Sequence, residues 1–177
     1  RLDSEQWGEK ERHSACYLRY DTVNPEQALR GKAAFAEKAD FNLYFATQFG
    51  FDPQPFIDWE AATNAKGIKL PIHVGMPGPA KLTQLAKFAM LCGVGASMRM
   101  LTTRTSAMAG LLSAQAPDDM VTALARHKGS NPQSRFKKIH FFAFGGVVKT
   151  ARWANAVISG RFVLNSQATG FRVEDVN

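Results

Sequence analysis

Nearly continuous hydrophobic stretches alternate along the chain with stretches whose apolar residues recur at helical spacing. The hydrophobic stretches at 43–49 (LYFATQF), 69–75 (KLPIHVG) and 138–144 (KIHFFAF) predict strands that are covered on both faces. Each is followed by a turn and an amphipathic stretch, so strand and helix succeed one another repeatedly. This order predicts an α/β fold with a parallel sheet, in which these three strands are neighbours.

Proline next to asparagine or aspartate marks the predicted start of two helices. Asn24 and Pro25 suit the N-cap and the first helical position of one helix, and Asp52 and Pro53 suit the start of another. The predicted helices span 25–38, 53–65, 80–92, 97–114, 117–129 and 147–158. A polar arm at 1–14, a short strand at 15–20 and a hairpin-like tail at 161–177 complete the pattern.

No glycine-rich phosphate-binding motif follows any of the predicted strands. Neither G-x-G-x-x-G nor G-x-x-x-x-G-K-[ST] occurs at those positions. A nucleotide-binding doubly wound sheet is therefore disfavoured, and an α/β barrel becomes the preferred architecture. In such a barrel the chemistry is carried by the loops after the carboxyl ends of the strands, here 48–52, 75–79 and 144–146.

Composition narrows the choice of partners and compartment. The chain has 177 residues, 45% of them hydrophobic, which is enough for one core. Its formal charge of +7 is scattered rather than gathered into a basic stripe with interleaved aromatic residues, so no nucleic-acid partner is expected. Cys16 and Cys92 lack the spacing of a disulfide framework or a zinc site, and no run of about 18 apolar residues indicates a membrane span. Together with a start at Arg1, these features predict a protein of the cytoplasm or the mitochondrial matrix.

Four segments carry a resemblance to a known family. They are ATQFGFD (46–52), LPIHVGMPGPAKL (70–82), KFAMLCGVGASMRML (87–101) and IHFFAFGG (139–146). In this order they resemble the later part of methylenetetrahydrofolate reductase, and more narrowly the bacterial branch whose last strand ends in Gly-Gly. The resemblance implies a (β/α)8 TIM barrel and a flavoprotein oxidoreductase of one-carbon metabolism. Such an enzyme uses FAD to reduce 5,10-methylenetetrahydrofolate to 5-methyltetrahydrofolate at the expense of NAD(P)H.

The resemblance assigns a folate-binding role to a few positions. Gln48 matches a family glutamine that hydrogen-bonds the pterin, and an amide suits that work because it offers both a donor and an acceptor. The alternative is a buried glutamine that satisfies a strand end. Met76, Pro77 and Gly78 match the loop beside the folate, where the two prolines of the Pro-Gly-Pro corner stiffen the chain and Gly78 leaves room for a flat ligand. Leu82 stands where many relatives place an aromatic ring.

The positions that contact the flavin in the family are matched less closely by this sequence. Lys38, or else Lys32, falls near a basic position that touches the flavin phosphates in relatives, although a solvated helix face explains both lysines equally. Asn24 replaces the histidine of a His-Pro-Glu stretch. His73 and His140 are predicted to be satisfied core residues within their strands, and no metal site is expected.

The segments that carry the family's catalysis have no counterpart in this sequence. The carboxylate that protonates the folate lies on the first barrel strand of the family and the aspartate that tunes the flavin lies on the fourth, whereas this sequence matches only the later half, about four strands of the eight. No catalytic residue is therefore assigned, and the chain alone is expected to bind no FAD. Such a half-barrel has two unpaired strand edges and an uncovered apolar face.

Three interpretations follow for a half-barrel of this family. In the first, the chain is the later half of a normal reductase, whose first half is supplied by another polypeptide or is not included in this sequence. In the second, the chain is a catalytically inactive relative that serves as an accessory subunit of a larger, for example mitochondrial, complex. In the third, two copies pair as half-barrels.

Overall fold

The computed structural model describes residues 25–40, 42–92, 114–167 and 170–173. Its elements, in chain order, are α1 (Pro25–Lys38), β1 (Phe45–Phe49), α2 (Gln54–Ala65), β2 (Ile72–Pro77), β3 (Ala80–Lys81), α3 (Leu82–Leu91), β4 (Ala114–Gln115), α4 (Asp118–Ser130), β5 (Phe136–Phe142), α5 (Val147–Ile158), β6 (Val163–Leu164) and β7 (Phe171–Arg172). The predicted arm at 1–14 and strand at 15–20 lie outside the described residues, as does nearly all of the predicted helix at 97–114.

Three strands form a parallel sheet in the order β1-β2-β5. The prediction that these strands are parallel neighbours is confirmed, and so is the strand-then-helix order along the chain. The strands begin and end near the predicted positions, with β2 starting three residues later than expected and extending to Pro77. The predicted hairpin in the tail is also confirmed, because β6 pairs with β7 in antiparallel fashion.

One face of the sheet is covered by helices. Side chains alternate between the two faces of a strand, and Ile72, Val74 and Met76 of β2 share this face. They form a buried core with residues of α4, the strand β1 and the start of β5, and side chains of α1 and α2 pack against it. The core residues are Phe45, Ile68, Ile72, Val74, Met76, Met120, Leu124 and Phe136. We call this the covered face.

The opposite face, which we call the open face, carries polar side chains. His73 lies beside Lys138 in the register, and Gly75 lies beside His140. Lys138 and His140 are exposed, while His73 is half-buried with its ring stacked on Tyr44 at 3.6 Å. The prediction of a strand covered on both faces is confirmed for β2, whose residues are all buried or half-buried, and is wrong for β5, whose residues 137–140 are exposed. The prediction of His140 as a core residue is wrong. The uncovered face is also more polar than the apolar one expected.

Local chemistry accounts for the ends of several helices. The Asp52 carboxylate accepts the backbone N–H of Gln54 at 3.0 Å, which satisfies one of the free donors at the start of α2. Gly67 follows the end of this helix with φ +75°, a conformation that favours glycine. Gly146 precedes α5 with φ +107°. Within the described ranges, no helix has the length and apolar character needed to cross a membrane.

Candidate ligand site at the carboxyl edge of the sheet

The carboxyl ends of β1, β2 and β5 meet at one edge of the sheet. Because all three strands run in the same direction, the loops that follow them gather at this edge. Parallel α/β proteins bind their ligands at this end of the strands. The candidate site is therefore built from the residues that end these strands and begin the following loops.

A bulge in β1 shapes the first part of the site. The register passes from Ala46 opposite His73 to Phe49 opposite Gly75, so β1 contains one residue more than β2 over this stretch. The Thr47 hydroxyl bridges the irregularity, because it accepts the backbone N–H of Gly75 at 2.8 Å and donates to the Gln48 carbonyl at 2.9 Å. A bulge of this kind redirects the side chains of the strand that contains it.

Gln48 is exposed on this bulge, next to the backbone of β2. A side chain at position 75 would collide with it, since a Cβ there would lie 2.6 Å from the Gln48 carbonyl oxygen. The Gln48 side-chain oxygen accepts the backbone N–H of Phe49 at 3.0 Å. This oxygen is therefore already paired within the protein. The amide nitrogen makes no hydrogen bond within the described part of the chain and can donate to a ligand.

The Pro-Gly-Pro corner is closed rather than open. Met76 and Leu82 are 0% and 2% exposed, and Pro77 and Gly78 are buried as well. A Cβ at Gly78 would overlap the side chain of Thr150 in α5. Close approach of this helix, and not of a ligand, therefore accounts for the glycine. The structure places these four predicted contact residues at or just after the carboxyl end of β2, where all four are buried.

The Gly-Gly turn after β5 packs directly on the same corner. A Cβ at Gly145 would overlap the Pro79 carbonyl and approach the Ala80 Cα to 2.9 Å. The Gly146 N–H donates to the Ala143 carbonyl at 2.9 Å, so the turn is tight. Contact between neighbouring loops thus explains Gly145, and the φ of +107° explains Gly146.

Four phenylalanine rings from three elements meet at the carboxyl edge, and we call them the aromatic cluster: Phe49, Phe88, Phe142 and Phe144. The ring of Phe144 stacks on that of Phe88 in α3, with 4.2 Å between centroids and 13° between planes. Phe49 meets Phe144 edge-on at 4.8 Å and lies 5.2 Å from Phe142. Phe49 is 1% exposed, whereas the other three rings are half-buried. The segments TQFG, KFAM and FFAF contain these rings, but nothing in the sequence pattern indicates that they meet.

A buried polar cluster lies at the opposite, amino edge of the sheet. Glu60 of α2 is 1% exposed, and its carboxylate accepts hydrogen bonds from the Ser134 hydroxyl at 3.0 Å and from the Arg135 backbone N–H. Its second oxygen lies 2.7 Å from Nε2 of His127 in α4. The Arg135 guanidinium donates to the carbonyls of Glu60 and Leu70 at 3.1 Å each. None of these residues was singled out from the sequence, because their partners are far apart along the chain.

The pKa values in this cluster favour an ion pair. Burial on its own would raise the pKa of the Glu60 carboxyl, but the hydrogen bonds from His127, Arg135 and Ser134 outweigh burial and hold this pKa below its usual range. Burial lowers the pKa of the Arg135 guanidinium, against the attraction of Glu60. The Nε of Arg135 is buried without a hydrogen-bond partner. Since every group lies between helices and strand starts, the arrangement joins α2, α4 and β5.

Asp118, at the start of α4, is a second perturbed carboxylate. Burial raises its pKa to about 6 against the hydrogen bond that the Trp153 ring nitrogen donates to it at 3.0 Å. The neighbouring charge of Asp119 also raises this pKa, while Arg172 lowers it. Trp153 in turn contacts the ring of Phe171 in β7 at 6.2 Å. The carboxyl therefore links α4, α5 and the C-terminal hairpin.

Lys38, the predicted flavin contact, is exposed at the last residue of α1. It makes no ion pair or hydrogen bond with any residue that the structure describes. Lys32, the alternative, is half-buried on the same helix. Neither lysine is held in an enclosure of the kind that a flavin ring or a diphosphate requires.

No protein-family model matches the chain. In the described ranges, no group of three or more His, Cys, Asp or Glu side chains is placed to hold a metal ion. The chain is thus characterised by its geometry, an α/β fold with a parallel three-stranded sheet. At the carboxyl edge of that sheet, an exposed amide lies beside a cluster of aromatic rings.

Proposed function

We propose that this chain is the later, folate-binding half of a methylenetetrahydrofolate reductase-like (β/α)8 barrel. One observation carries the architecture: helices α1, α2 and α4 cover one face of the parallel sheet, whereas the middle of the opposite face leaves Lys138 and His140 exposed. In a doubly wound sheet, helices cover both faces. In a barrel, the inner face instead meets the strands across the axis. This sheet has its strands in chain order and an open, partly polar face. Both features fit one part of a barrel that further strands close.

The carboxyl edge supports a flat, hydrogen-bonding ligand. Gln48 is exposed there and offers its amide nitrogen, and a pterin presents ring nitrogens and a carbonyl that accept such a donor. The aromatic cluster provides apolar surface beside it. Binding and orienting the pterin is the role that these residues take in the proposed reaction.

The remaining chemistry belongs to the first half of the barrel in this proposal. FAD supplies hydride transfer in the complete family member, but the described residues fit it poorly, because Lys38 alone approaches the requirement and no described residue bonds to its side chain. The catalytic acid is expected outside the chain as well. We place the completed protein, as a proposal, in the cytoplasm or the mitochondrial matrix.

Folate binding by the purified chain tests this function. Calorimetric titration with 5-methyltetrahydrofolate is expected to show binding that Gln48→Leu weakens by about tenfold to a hundredfold, because an unpaired ligand group costs about 1–3 kcal/mol. Gln133→Leu is the matched control, since Gln133 is exposed in a turn. Equal affinities of the two variants would contradict the role of Gln48. Absence of binding by the wild type, both alone and with a first-half polypeptide added, would overturn the folate function.

A second function is favoured by the closed corner. Because Thr150 and Gly145 fill the space around Pro77 to Ala80, this chain also fits an inactive accessory subunit whose site has been lost. Adding the first four strands of a reductase as a separate polypeptide distinguishes the two. Flavin absorbance and NAD(P)H oxidation in the mixture support the enzyme, whereas a stable complex without either supports the accessory subunit. A mass of two chains without any partner would instead support paired half-barrels.

A further inference from the structure

Large apolar side chains are exposed together where α5 ends and the C-terminal hairpin begins. Ile158 is 83% exposed, and Phe162, Val163 and Leu164 are 36%, 50% and 57% exposed. Every residue from 158 to 167 is exposed, so this stretch projects from the surface of the protein. We call the four apolar residues the apolar tip. Neighbouring apolar side chains that stay exposed together mark a surface that binds a partner or a membrane.

Contacts on the inner side of the hairpin hold the apolar tip in place. The Arg161 N–H donates to the Ala156 carbonyl at 2.8 Å, which turns the chain back at the end of α5. The ring centroid of Phe171 lies 5.0 Å from that of Phe162 and 6.2 Å from that of Trp153, which is 2% exposed in α5. The projection is therefore already ordered, and little conformational freedom is lost when it binds.

The two residues of β6 point in opposite directions. Val163 and Leu164 are consecutive in the strand, so their side chains lie on opposite faces of the hairpin, and each is at least half exposed. A protein partner that covered both would need a cleft that encloses the hairpin. The headgroup layer of a membrane surrounds an inserted projection on all sides. Exposure on both faces therefore favours a lipid surface as the occupant.

The charged residues near the apolar tip are basic. Between Val147 and Leu164 the charged side chains are those of Lys149, Arg152 and Arg161. Arg152 lies on the exposed side of α5, and Arg161 directly precedes the tip and is exposed. A basic side chain beside an anionic bilayer is attracted by the negative surface potential, and its aliphatic part can lie along apolar neighbours. Apolar residues flanked by arginines thus match an anionic lipid surface.

We propose that the apolar tip, together with Arg152 and Arg161, binds the surface of a membrane that contains anionic lipids. Ile158 and the two residues of β6 enter the headgroup layer, which removes their apolar surface from water, while the guanidinium groups contact lipid phosphates. Because the tip is a short turn and a two-residue strand, it reaches the interface and does not span the bilayer. The proposal does not depend on the folate function.

Cosedimentation of the whole chain with lipid vesicles tests the proposal. Vesicles of equal parts phosphatidylserine and phosphatidylcholine are compared with vesicles of phosphatidylcholine alone, each at low and at high salt. The wild type is expected to bind the anionic vesicles about tenfold or more tightly than the neutral ones, since each basic residue near such a surface contributes about fivefold. Raising the salt concentration should reduce this preference, because salt screens the attraction.

Two variants separate the apolar contribution from the charged one. Leu164→Ser is expected to weaken binding to anionic vesicles about tenfold, because less apolar surface leaves the water. Arg161→Gln should weaken it about fivefold and should leave binding to neutral vesicles unchanged. The matched controls are Met90→Ser, at a residue that is 76% exposed on α3, and Lys128→Gln, at an exposed residue of α4. Both controls should bind as the wild type does.

Several outcomes would overturn the membrane surface. They are equal binding of the wild type to both kinds of vesicle, binding to neither, and losses in the controls that equal those in the tip variants. A light-scattering mass of two chains that Leu164→Ser reduces to one, without vesicle binding, would show that a second copy covers the tip. Thermal unfolding curves that match the wild type show that a variant has lost a contact with lipid and not its fold.

Discussion

The two edges of the sheet differ in whether their polar side chains are fully paired within the protein. At the amino edge, the Glu60 carboxylate is buried and surrounded by donors from α4 and the start of β5. At the carboxyl edge, Gln48 is exposed with its amide nitrogen unused among the described residues, and aromatic rings lie beside it. Buried charges must be paired, whereas groups that serve a ligand must keep capacity for it. Under the proposed function, stability resides at one edge and binding at the other, which is the division found in parallel barrels.

Glu60→Ala should give the largest effect of the predicted changes. It leaves the Ser134 hydroxyl, the Arg135 backbone N–H and Nε2 of His127 without the carboxylate that they contact, and removing one member of a buried ionic network costs about 3–5 kcal/mol of unfolding free energy. Urea denaturation measures the loss. Glu37→Ala, at an exposed position of α1, is the control and should change little. If Glu60→Ala and Glu37→Ala lost the same unfolding free energy, the amino edge would not have the stabilising role described here.

Gly78→Ala tests whether the corner is a packing contact. The added Cβ would overlap Thr150, and overpacking of this kind costs about 1–3 kcal/mol in unfolding free energy. Thr150→Ala in the same chain should recover part of the loss, because the two positions are in contact. Gly31→Ala is the control, since no atom lies within 4 Å of the added Cβ. If Gly78→Ala left the free energy of unfolding unchanged, the corner would again be a candidate part of the ligand site.

The pH dependence of stability should separate Asp118 from Glu60. The pKa of Asp118 is raised from 3.8 to about 6, so its contribution to stability is fully present below pH 3.8 and is lost as the pH rises through 6. The pKa of Glu60 is lowered, so its contribution is present above its ordinary pKa of 4.5 and is lost as the pH falls.

Urea midpoints of the wild type and of Asp118→Asn measure this dependence. The difference between them is expected to change between about pH 4 and about pH 6 and to stay constant above that range. Asp40→Asn is the control, because Asp40 is an exposed aspartate that is not among the groups that shift the pKa of Asp118. A difference that does not depend on pH would show that burial does not govern Asp118.

Local sequence chemistry was sufficient for most helices. Pro25, Asp52 and Gly67 act on the backbone within a few residues of themselves, so they set helix ends in any tertiary context. The same holds for Gly146 and the helix at 147–158, which has the predicted bounds. The order of strands and helices then restricts the sheet to parallel neighbours.

The candidate site was predictable only in part. Gln48 could be singled out because a polar residue within an aromatic strand calls for an explanation, and the structure does place it at the carboxyl edge. The state of the corner could not be predicted, because Gly78 is explained by a helix 72 residues later, at Thr150. Hydrophobic continuity in β5 also suggested burial, although Lys138 and His140 are exposed. A run of apolar residues shows that a strand is able to be buried. It does not show which face of the strand a helix packs against.

By itself the sequence determined the hydrophobic periodicity and the positions at which proline and glycine end helices and strands. The α/β order follows from both, because both depend on interactions between residues close together in the chain. Only the tertiary structure decided which groups from distant elements meet: Glu60 with Arg135, and Phe88 with Phe144. The physical reason is that side-chain hydrogen bonds and ring contacts form within a few ångströms in space. Residues that are 75 positions apart, as Glu60 and Arg135 are, leave no periodic signal of such a contact in the sequence.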